Sequence, residues 1–96
     1  MGIIDKLNKD FESRVRLGIM SILIVNDWVD FTEMKTLLNI TDGNLASHSS
    51  ALEKGTYIEI KKEFVGKKPK TSYRVTKSGR EAFAEHLNAL EKLLGK

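Results

Sequence analysis

The side chains of this 96-residue chain that could carry out catalysis are few and far apart. The chain has two histidines, His48 and His86, and no cysteine, so thiolate metal sites and disulfides are excluded. His86 could be imagined beside Glu85 and Glu91 as a metal site, but the spacing is loose and no second histidine follows; a solvated or interface histidine is the alternative. Since neither histidine has a partner for nucleophilic or metal chemistry, we expect no enzyme activity and no cofactor.

Residues 41–55, TDGNLASHSSALEKG, match a surface that recognises a partner better than they match a catalytic site. Leu45 and Leu52 lie seven residues apart and mark the inward side of a helix. The outward positions are small or polar: Gly43 at the helix start, then Ser47, Ser50, Ala51 and Lys54. A water-exposed helix face usually carries many lysines and glutamates, whereas this helix has only two charged residues after Gly43. The face is therefore typical of docking on a partner; an ordinary amphipathic helix is the alternative.

Small outward side chains suit the major groove of duplex DNA. That groove is ~12 Å wide, and a helix inside it must approach the base edges and phosphates closely. Hydroxyl groups and an amide such as Asn44 could form hydrogen bonds there, and an exposed helix N-terminus attracts phosphate. Double-stranded RNA is a poorer match, because side chains cannot read its deep, narrow major groove.

Basic residues are concentrated in residues 61–80. This segment holds eight lysines and arginines and one glutamate, a local charge of +7, so the rest of the chain carries −4 of the net +3. Such asymmetry indicates a polyanionic partner. Lys67, Lys68 and Lys70 are predicted at a hairpin tip, where they could reach backbone phosphates or a minor groove and gain affinity from counterion release. A solvated charged hairpin is the alternative.

Helical periodicity and capping residues place the first elements. Apolar spacing predicts a helix from Phe11 to Val25, with enough apolar surface to need cover on more than one side. Thr32 is predicted to cap a short helix, Glu33 to Leu38, whose buried side holds Met34, Leu37 and Leu38. Asn39-Ile40 interrupts it and Thr41 caps the next helix. Two helices joined by a turn of about three residues have the spacing of a helix-turn-helix unit, here about residues 32–55.

After Gly55 the apolar period changes from 3.6 to 2. Ile58, Ile60 and Phe64 alternate with polar neighbours, and residues 72–75 form a second strand, with a loop over residues 65–71. This predicts a basic hairpin over about 57–76. Thr76 can cap a last helix, about 77–94, with an apolar stripe at Phe83, Leu87, Leu90 and Leu94. Spare apolar surface on the first and last helices predicts pairing with a second copy of the chain.

Length and hydropathy limit the setting in which the chain works. One compact domain, 1–96, is expected for a chain of this size. Its longest apolar run, residues 22–25, is far shorter than the ~20 residues of a membrane helix. Asp5 and Asp10 interrupt the region where an export signal would be basic and then apolar. We expect a soluble, cytoplasmic protein with no membrane partner.

The element order and three motifs resemble one family of regulators. The motifs are RVRLGIM at 14–20, TDGNLASH at 41–48 and YRVTKSGR at 73–80, the last of the form Y-x-x-T-x-x-G. Together they resemble the winged helix-turn-helix transcription regulators of the MarR and ArsR type, closest to small single-domain members, over about Phe11 to Leu94. The resemblance implies a mainly α fold with a small β-hairpin (α+β) and a long C-terminal dimerisation helix.

The same resemblance implies a mechanism. A homodimer would bind a roughly palindromic operator with half-sites about one helical turn apart, and would repress by occupying a promoter. The residues at or near DNA would be Gly43, Asn44, Ser47, His48, Ser50 and, from the helical wheel, Lys54. Lys67, Lys68 and Lys70 would contact DNA from the wing, which is the hairpin predicted over about 57–76. The alternative is a winged helix that binds a protein and has only non-specific DNA affinity. No residue cluster marks a pocket for a small-molecule effector.

Two departures from the family pattern fall in the second helix of the helix-turn-helix unit. Ser49 stands on the inward face where relatives usually have leucine, so its hydroxyl needs a backbone partner or leaves a small void. At the helix end the order Gly55-Thr56 moves the glycine, which is best suited to a left-handed cap, back by one position. His48 lies between the inward and outward sides of this helix.

Overall fold

Four helices and three strands, preceded by two short 3-10 helices, make up the computed structural model, which describes residues 2–95. The 3-10 helices are Ile3–Lys6 and Lys9–Phe11, and the other elements are α1 (Arg14–Ile24), β1 (Val29–Asp30), α2 (Phe31–Leu38), α3 (Asp42–Lys54), β2 (Ile58–Val65), β3 (Lys68–Val75) and α4 (Lys77–Leu93). The predicted order and the α+β class are confirmed. No helix within residues 2–95 is long and apolar enough to cross a membrane.

The three strands form one antiparallel sheet in the order β1-β3-β2. The long hairpin pairs Ile58 with Val75 at its base and Val65 with Lys68 at its tip. The two-residue strand β1 adds to the other side of β3, where Val29 pairs with Tyr73. This pairing fixes the base of the hairpin to the body of the domain.

Local caps decide where the first two helices begin, and they correct two predictions. Helix α1 starts at Arg14 and not at Phe11, because the Ser13 hydroxyl accepts a hydrogen bond from the Arg16 amide (3.3 Å). Helix α2 starts at Phe31, because the Asp30 carboxylate, not Thr32, accepts from the Glu33 amide (2.7 Å). Aspartate is at least as good a cap as threonine, and Asp30 is held in place by β1 pairing.

The turn between α2 and α3 follows the prediction closely. Asn39 takes the left-handed conformation (φ 52°) that ends α2, and the Thr41 hydroxyl accepts from the Asn44 amide (3.1 Å) to begin α3. Met34 faces inward as predicted, but Leu37 is 60% exposed. Phe31 and Leu38 are partly buried and pack against the core beside Met34, so the inward side of α2 runs through these three residues and leaves Leu37 out.

The core lies between α1, α3 and the sheet, with α2 and α4 closing its ends. Its most buried side chains are Phe11, Ile19, Met20, Leu23, Val29, Met34, Leu45, Leu52, Ile58, Tyr73, Val75 and Phe83. Phe11 joins the N-terminal segment to this core, since its ring lies 4.9 Å from Tyr57 and 5.4 Å from Phe83, measured between centroids. Aromatic pairs at these distances add to the stabilisation from burial.

His86 faces this aromatic cluster and is only 4% exposed. Its Nδ1 accepts a hydrogen bond from the Asn8 amide (2.9 Å), and its ring lies 5.5 Å from that of Phe11. Glu85 and Glu91, considered above with His86 as metal ligands, are exposed. Burial lowers the pKa of His86 below its ordinary value of 6.5, and the nearby Glu12 carboxylate opposes this only in part.

We predict that His86 makes the folded state sensitive to mild acid. An unfolded chain protonates this histidine near pH 6.5, whereas the folded chain resists protonation, because Nδ1 must stay free of a proton to accept from Asn8. The free energy of unfolding should therefore fall as the pH drops from about 6.5 through the lower folded pKa. Thermal melts at pH 7.5 and 5.0 should show a smaller difference for His86→Gln than for the wild type. The control is His48→Gln, and equal pH dependence in the wild type and His86→Gln would contradict the prediction.

Candidate nucleic-acid interface

A hydrogen-bonded junction fixes α3, the wing and α4 relative to one another. The Thr56 carbonyl, just after α3, accepts hydrogen bonds from the hydroxyls of Thr76 (2.6 Å) and Ser78 (3.0 Å) at the start of α4. The Thr76 amide donates to the Tyr57 carbonyl (3.0 Å), and its hydroxyl accepts from the Gly79 amide (2.9 Å). Thr76 is thus a helix cap and a link to α3 at once, which explains the threonine of the Y-x-x-T-x-x-G motif.

Gly79 and Thr56 are both constrained by this junction. A Cβ at position 79 would lie 1.9 Å from the Tyr57 carbonyl oxygen, so only glycine lets α4 approach this closely. At the end of α3, Thr56 adopts the left-handed conformation (φ 67°), whereas Gly55 is right-handed. The glycine does not serve as the left-handed cap. Its missing side chain leaves room for the Tyr57 ring, which a Cβ there would approach to 2.6 Å.

The outward face of α3 is free for a partner. Gly43, Asn44, Ser47, Ser50 and Lys54 are all exposed, whereas Leu45, Ser49 and Leu52 are buried. A Cβ added at Gly43 would meet no described atom within 4 Å, so packing within the domain gives no reason for glycine here. The helix therefore presents small groups and an accessible N-terminal backbone at its first turn.

Ser49 confirms the predicted inward face of α3. It is 2% exposed, and its hydroxyl donates to the Ala46 carbonyl (3.3 Å), so the backbone supplies the partner that its burial requires.

His48 lies at the edge of this face. It is half-buried, and its Nδ1 accepts a hydrogen bond from Arg16 Nε of α1 (3.1 Å). Arg16 also lies 3.9 Å from the Asp10 carboxylate, measured from Nη1 to Oδ1. The ring therefore links α3 to α1 and does not join the outward group, a placement that the intermediate wheel position left open.

The hairpin tip is tighter than the predicted loop over residues 65–71. Only Gly66 and Lys67 lie between the strands, and Gly66 has the positive φ (67°) that such a turn requires. Lys68 and Lys70 belong to β3, opposite Val65 and Glu63 respectively, and are exposed. The wing is thus a ribbon of eight-residue strands that reaches roughly 26 Å.

An open groove of about 480 Å³ separates α3 from the wing. Its wall on the helices holds Phe31, Ala46, Ser49, Ser50 and Glu53, and its wall on the wing holds Ile60, Lys62, Thr71 and Tyr73. Lys62 therefore belongs to the candidate interface although the sequence did not single it out. The available signal was the period-2 pattern, since residue 62 falls on the same strand face as Ile60.

Several basic residues of the 61–80 segment make contacts within the domain, so they are not free to bind a partner. Two cations lie over the Trp28 ring: Lys61 Nζ is 4.3 Å from the ring centroid and Arg74 Cζ is 4.5 Å from it. Arg74 also donates to both oxygens of Glu59, and Arg80 donates to the Ile24 carbonyl (3.1 Å). Trp28 is half-buried at the rim of the domain and ties the wing base to the body through cation–π contacts.

Comparison with known proteins decides the family. A family model described as a winged helix DNA-binding domain matches residues 15–94. The chain belongs to this winged-helix DNA-binding family. It is a family of DNA-binding transcriptional regulators and not of enzymes.

Individual relatives agree with this assignment. An uncharacterised protein of Methanocaldococcus jannaschii is 37% identical over 79 residues, covering 82% of this chain and 86% of that protein. The structure of a transcriptional regulator homologue from Pyrococcus horikoshii matches with a TM-score of 0.88 at 28% identity, covering 99% of this chain and 96% of the other.

A MarR family regulator from Streptomyces coelicolor, solved in complex with DNA, shares the fold. Its TM-score is 0.67 at 19% identity, and the match covers 94% of this chain and 65% of that one. The winged-helix domain is therefore MarR-like in architecture.

The face of the winged-helix domain formed by α1 and α4 exposes mainly apolar surface. Leu17 of α1 and Leu90 of α4 line one shallow groove of about 300 Å³ with Leu7 and Phe11, and Glu12, Ser13, Arg14 and His86 complete its lining. The buried line of α4 runs through Gly79, Phe83, His86 and Ala89, so the predicted stripe is split. Phe83 packs inward, whereas Leu87 and the C-terminal Leu93 and Leu94 are exposed.

Proposed function

We propose that this winged-helix domain, a single folding unit over residues 1–96, binds duplex DNA sequence-specifically as a dimeric regulator, with α3 in the major groove. The observation that carries this proposal is the outward face of α3, where Gly43, Asn44, Ser47, Ser50 and Lys54 are exposed. Hydroxyl, amide and ammonium groups on a slim helix can donate to base edges and phosphates at close range. His48 borders this face and holds the helix against α1 through Arg16.

The wing supplies sequence-independent adhesion in this proposal. Lys67, Lys68 and Lys70 are exposed, and none of them makes a salt bridge within residues 2–95. They can contact backbone phosphates beside the major groove or enter the neighbouring minor groove, where release of counterions gives affinity.

Dimerisation would place two copies of α3 on one operator. The apolar face on α1 and α4 supports this, because Leu17, Leu87 and Leu90 leave apolar surface that a second copy can bury. A two-fold dimer reads a roughly palindromic site, and its occupation of a promoter would repress transcription. We place this activity in the cytoplasm.

The proposed function predicts that affinity has two separable parts. Fluorescence anisotropy should show tighter binding to the duplex from directly upstream of the gene than to a shuffled duplex, and the gap should survive added salt. Lys67→Gln, Lys68→Gln and Lys70→Gln should each reduce the slope of log affinity against log salt by ~0.9, equally on both duplexes. Lys92→Gln, at the far end of α4, is the matched control.

Equal affinity for both duplexes at every salt concentration would refute sequence-specific binding to this upstream site. If the lysine variants also left the salt slope unchanged, the wing would not contact DNA. A winged helix used to bind a protein would then be the better account of the basic hairpin.

A substitution at Gly43 should separate stability from binding. In Gly43→Ala the new methyl group meets no described atom of the domain and favours helix, so the melting temperature should not fall. The same methyl group would stand between the first turn of α3 and the DNA, so affinity for the upstream duplex should fall about tenfold. Asn88→Ala on the exposed side of α4 should change neither affinity nor salt slope. Unchanged affinity in Gly43→Ala would argue against close approach at this turn.

The dimer can be tested without DNA. Light scattering at micromolar concentration should give about twice the chain mass of 10.8 kDa. Leu87→Glu should shift the protein towards the monomer, because a carboxylate on α4 would have to be buried in the interface. Glu81→Gln, exposed near the other end of α4, should leave the mass unchanged. A wild-type monomer would contradict the proposed assembly.

A further inference from the structure

The tip of the wing carries an exposed apolar pair. Phe64 is 74% exposed and Val65 is 59% exposed, at the last two positions of β2. The sequence pattern grouped Phe64 with Ile58 and Ile60 as apolar residues that alternate with polar neighbours. Alternation does place them on one face, but the ribbon has run past the core by residue 64, so the ring has nothing in the domain to cover it.

Positive charge surrounds this apolar tip. Phe64 pairs across the ribbon with Pro69, and Val65 pairs with Lys68. The lysines at positions 62, 67, 68 and 70 are exposed and make no salt bridge within residues 2–95. The one acidic residue of the tip, Glu63, lies 3.4 Å from the Lys61 ammonium, so its charge is offset. Lys62 lies on the same face of the ribbon as the Phe64 ring, Lys67 lies in the turn, and Lys68 and Lys70 lie on the opposite face. An apolar ring at a tip that carries these unpaired lysines is complementary to a polyanion that also offers apolar surface.

The ring also lies on the face of the wing that is turned towards α3. Directly opposed residues of an antiparallel pair share a face, as do alternate residues of one strand. Ile60, Lys62, Thr71 and Tyr73 line the groove against α3, and the next pair along the same face is Phe64 with Pro69. A duplex held against α3 would therefore meet this face of the wing.

We propose that Phe64 is a wedge that enters the minor groove and inserts at a base step of the duplex bound by α3. This inference rests on the proposed function, and it assigns to the wing a contact that phosphate-binding lysines do not provide. The minor groove is ~6 Å wide, too narrow for the whole ribbon but wide enough for the edge of one ring. Lysines on either side hold the phosphates, while the ring partly unstacks the step and kinks the duplex towards the major groove.

The wedge predicts a loss of affinity and of bending with no loss of charge contacts. The probes are the upstream and shuffled duplexes, end-labelled for energy transfer and carrying 2-aminopurine at successive steps. Phe64→Ala should weaken binding to both duplexes about tenfold and leave the salt slope unchanged, because no phosphate contact is removed. It should also abolish the bend and the rise in 2-aminopurine fluorescence. Phe64→Leu, which keeps an apolar wedge, should retain most of the affinity.

Val65→Ala is the matched control, since it removes apolar surface from the opposite face of the same tip. It should bind and bend both duplexes like the wild type. Because Phe64 is exposed, its replacement should also leave the melting temperature unchanged.

Three results would overturn the wedge. These are wild-type affinity and bending in Phe64→Ala, an equal loss in Val65→Ala, or a reduced salt slope in Phe64→Ala. Retained duplex affinity with lost binding to phosphatidylserine vesicles would assign the tip to a lipid surface instead. If α3 does not read bases, the wild type will bind the two duplexes with equal affinity. Phe64→Ala can then still be compared with the wild type on either duplex. If the wild type binds neither duplex, both proposals fail.

Discussion

The arrangement of the candidate interface depends on one carbonyl group, that of Thr56. Two hydroxyls from the start of α4 donate to it, and the next carbonyl, of Tyr57, accepts the Thr76 amide. These bonds hold a threonine in the left-handed conformation, which costs roughly 1–3 kcal/mol and persists only where its surroundings enforce it. Gly79 makes the close approach possible. Because α3 ends, the wing begins and α4 starts within this junction, their relative angles are set together.

Seven of the eight basic residues in the segment 61–80 divide into two groups with different roles. Lys61 and Arg74 both lie over the Trp28 ring at the base of the wing, and Arg80 of α4 donates to the Ile24 carbonyl at the end of α1, so these charges stabilise the fold. Lys62, Lys67, Lys68 and Lys70 extend beyond the core and meet no acidic partner within residues 2–95. The local charge of +7 therefore overstates what a ligand can use. The charge that remains for a ligand is concentrated at the tip of the wing. The position of a lysine along the ribbon therefore says more about ligand binding than the total charge of the segment does.

Sequence reasoning succeeded where structure is decided within a few residues. The caps at Thr41 and Thr76 and the inward side of α3 follow from short-range hydrogen bonds and helical spacing, and all are present. It failed at the start of α2, where Asp30 caps the helix in place of Thr32 because β1 pairing presents it. It also failed at the hairpin, where the strands pair through most of the predicted loop over residues 65–71. The placement of the DNA-contacting residues, taken from the family resemblance and the helical wheel, stays a prediction.

By itself, the sequence determined the order and type of the elements and the small polar face of α3, because periodicity and capping are local properties. Only the tertiary structure decided which residues those elements leave for a partner. His48 is drawn towards Arg16, and Lys61 is taken up by Trp28. Lys62 joins the groove, and Phe64 is left in solvent at the tip. Each of these outcomes depends on strand register and on where the core ends, which are set by contacts between residues distant in the chain.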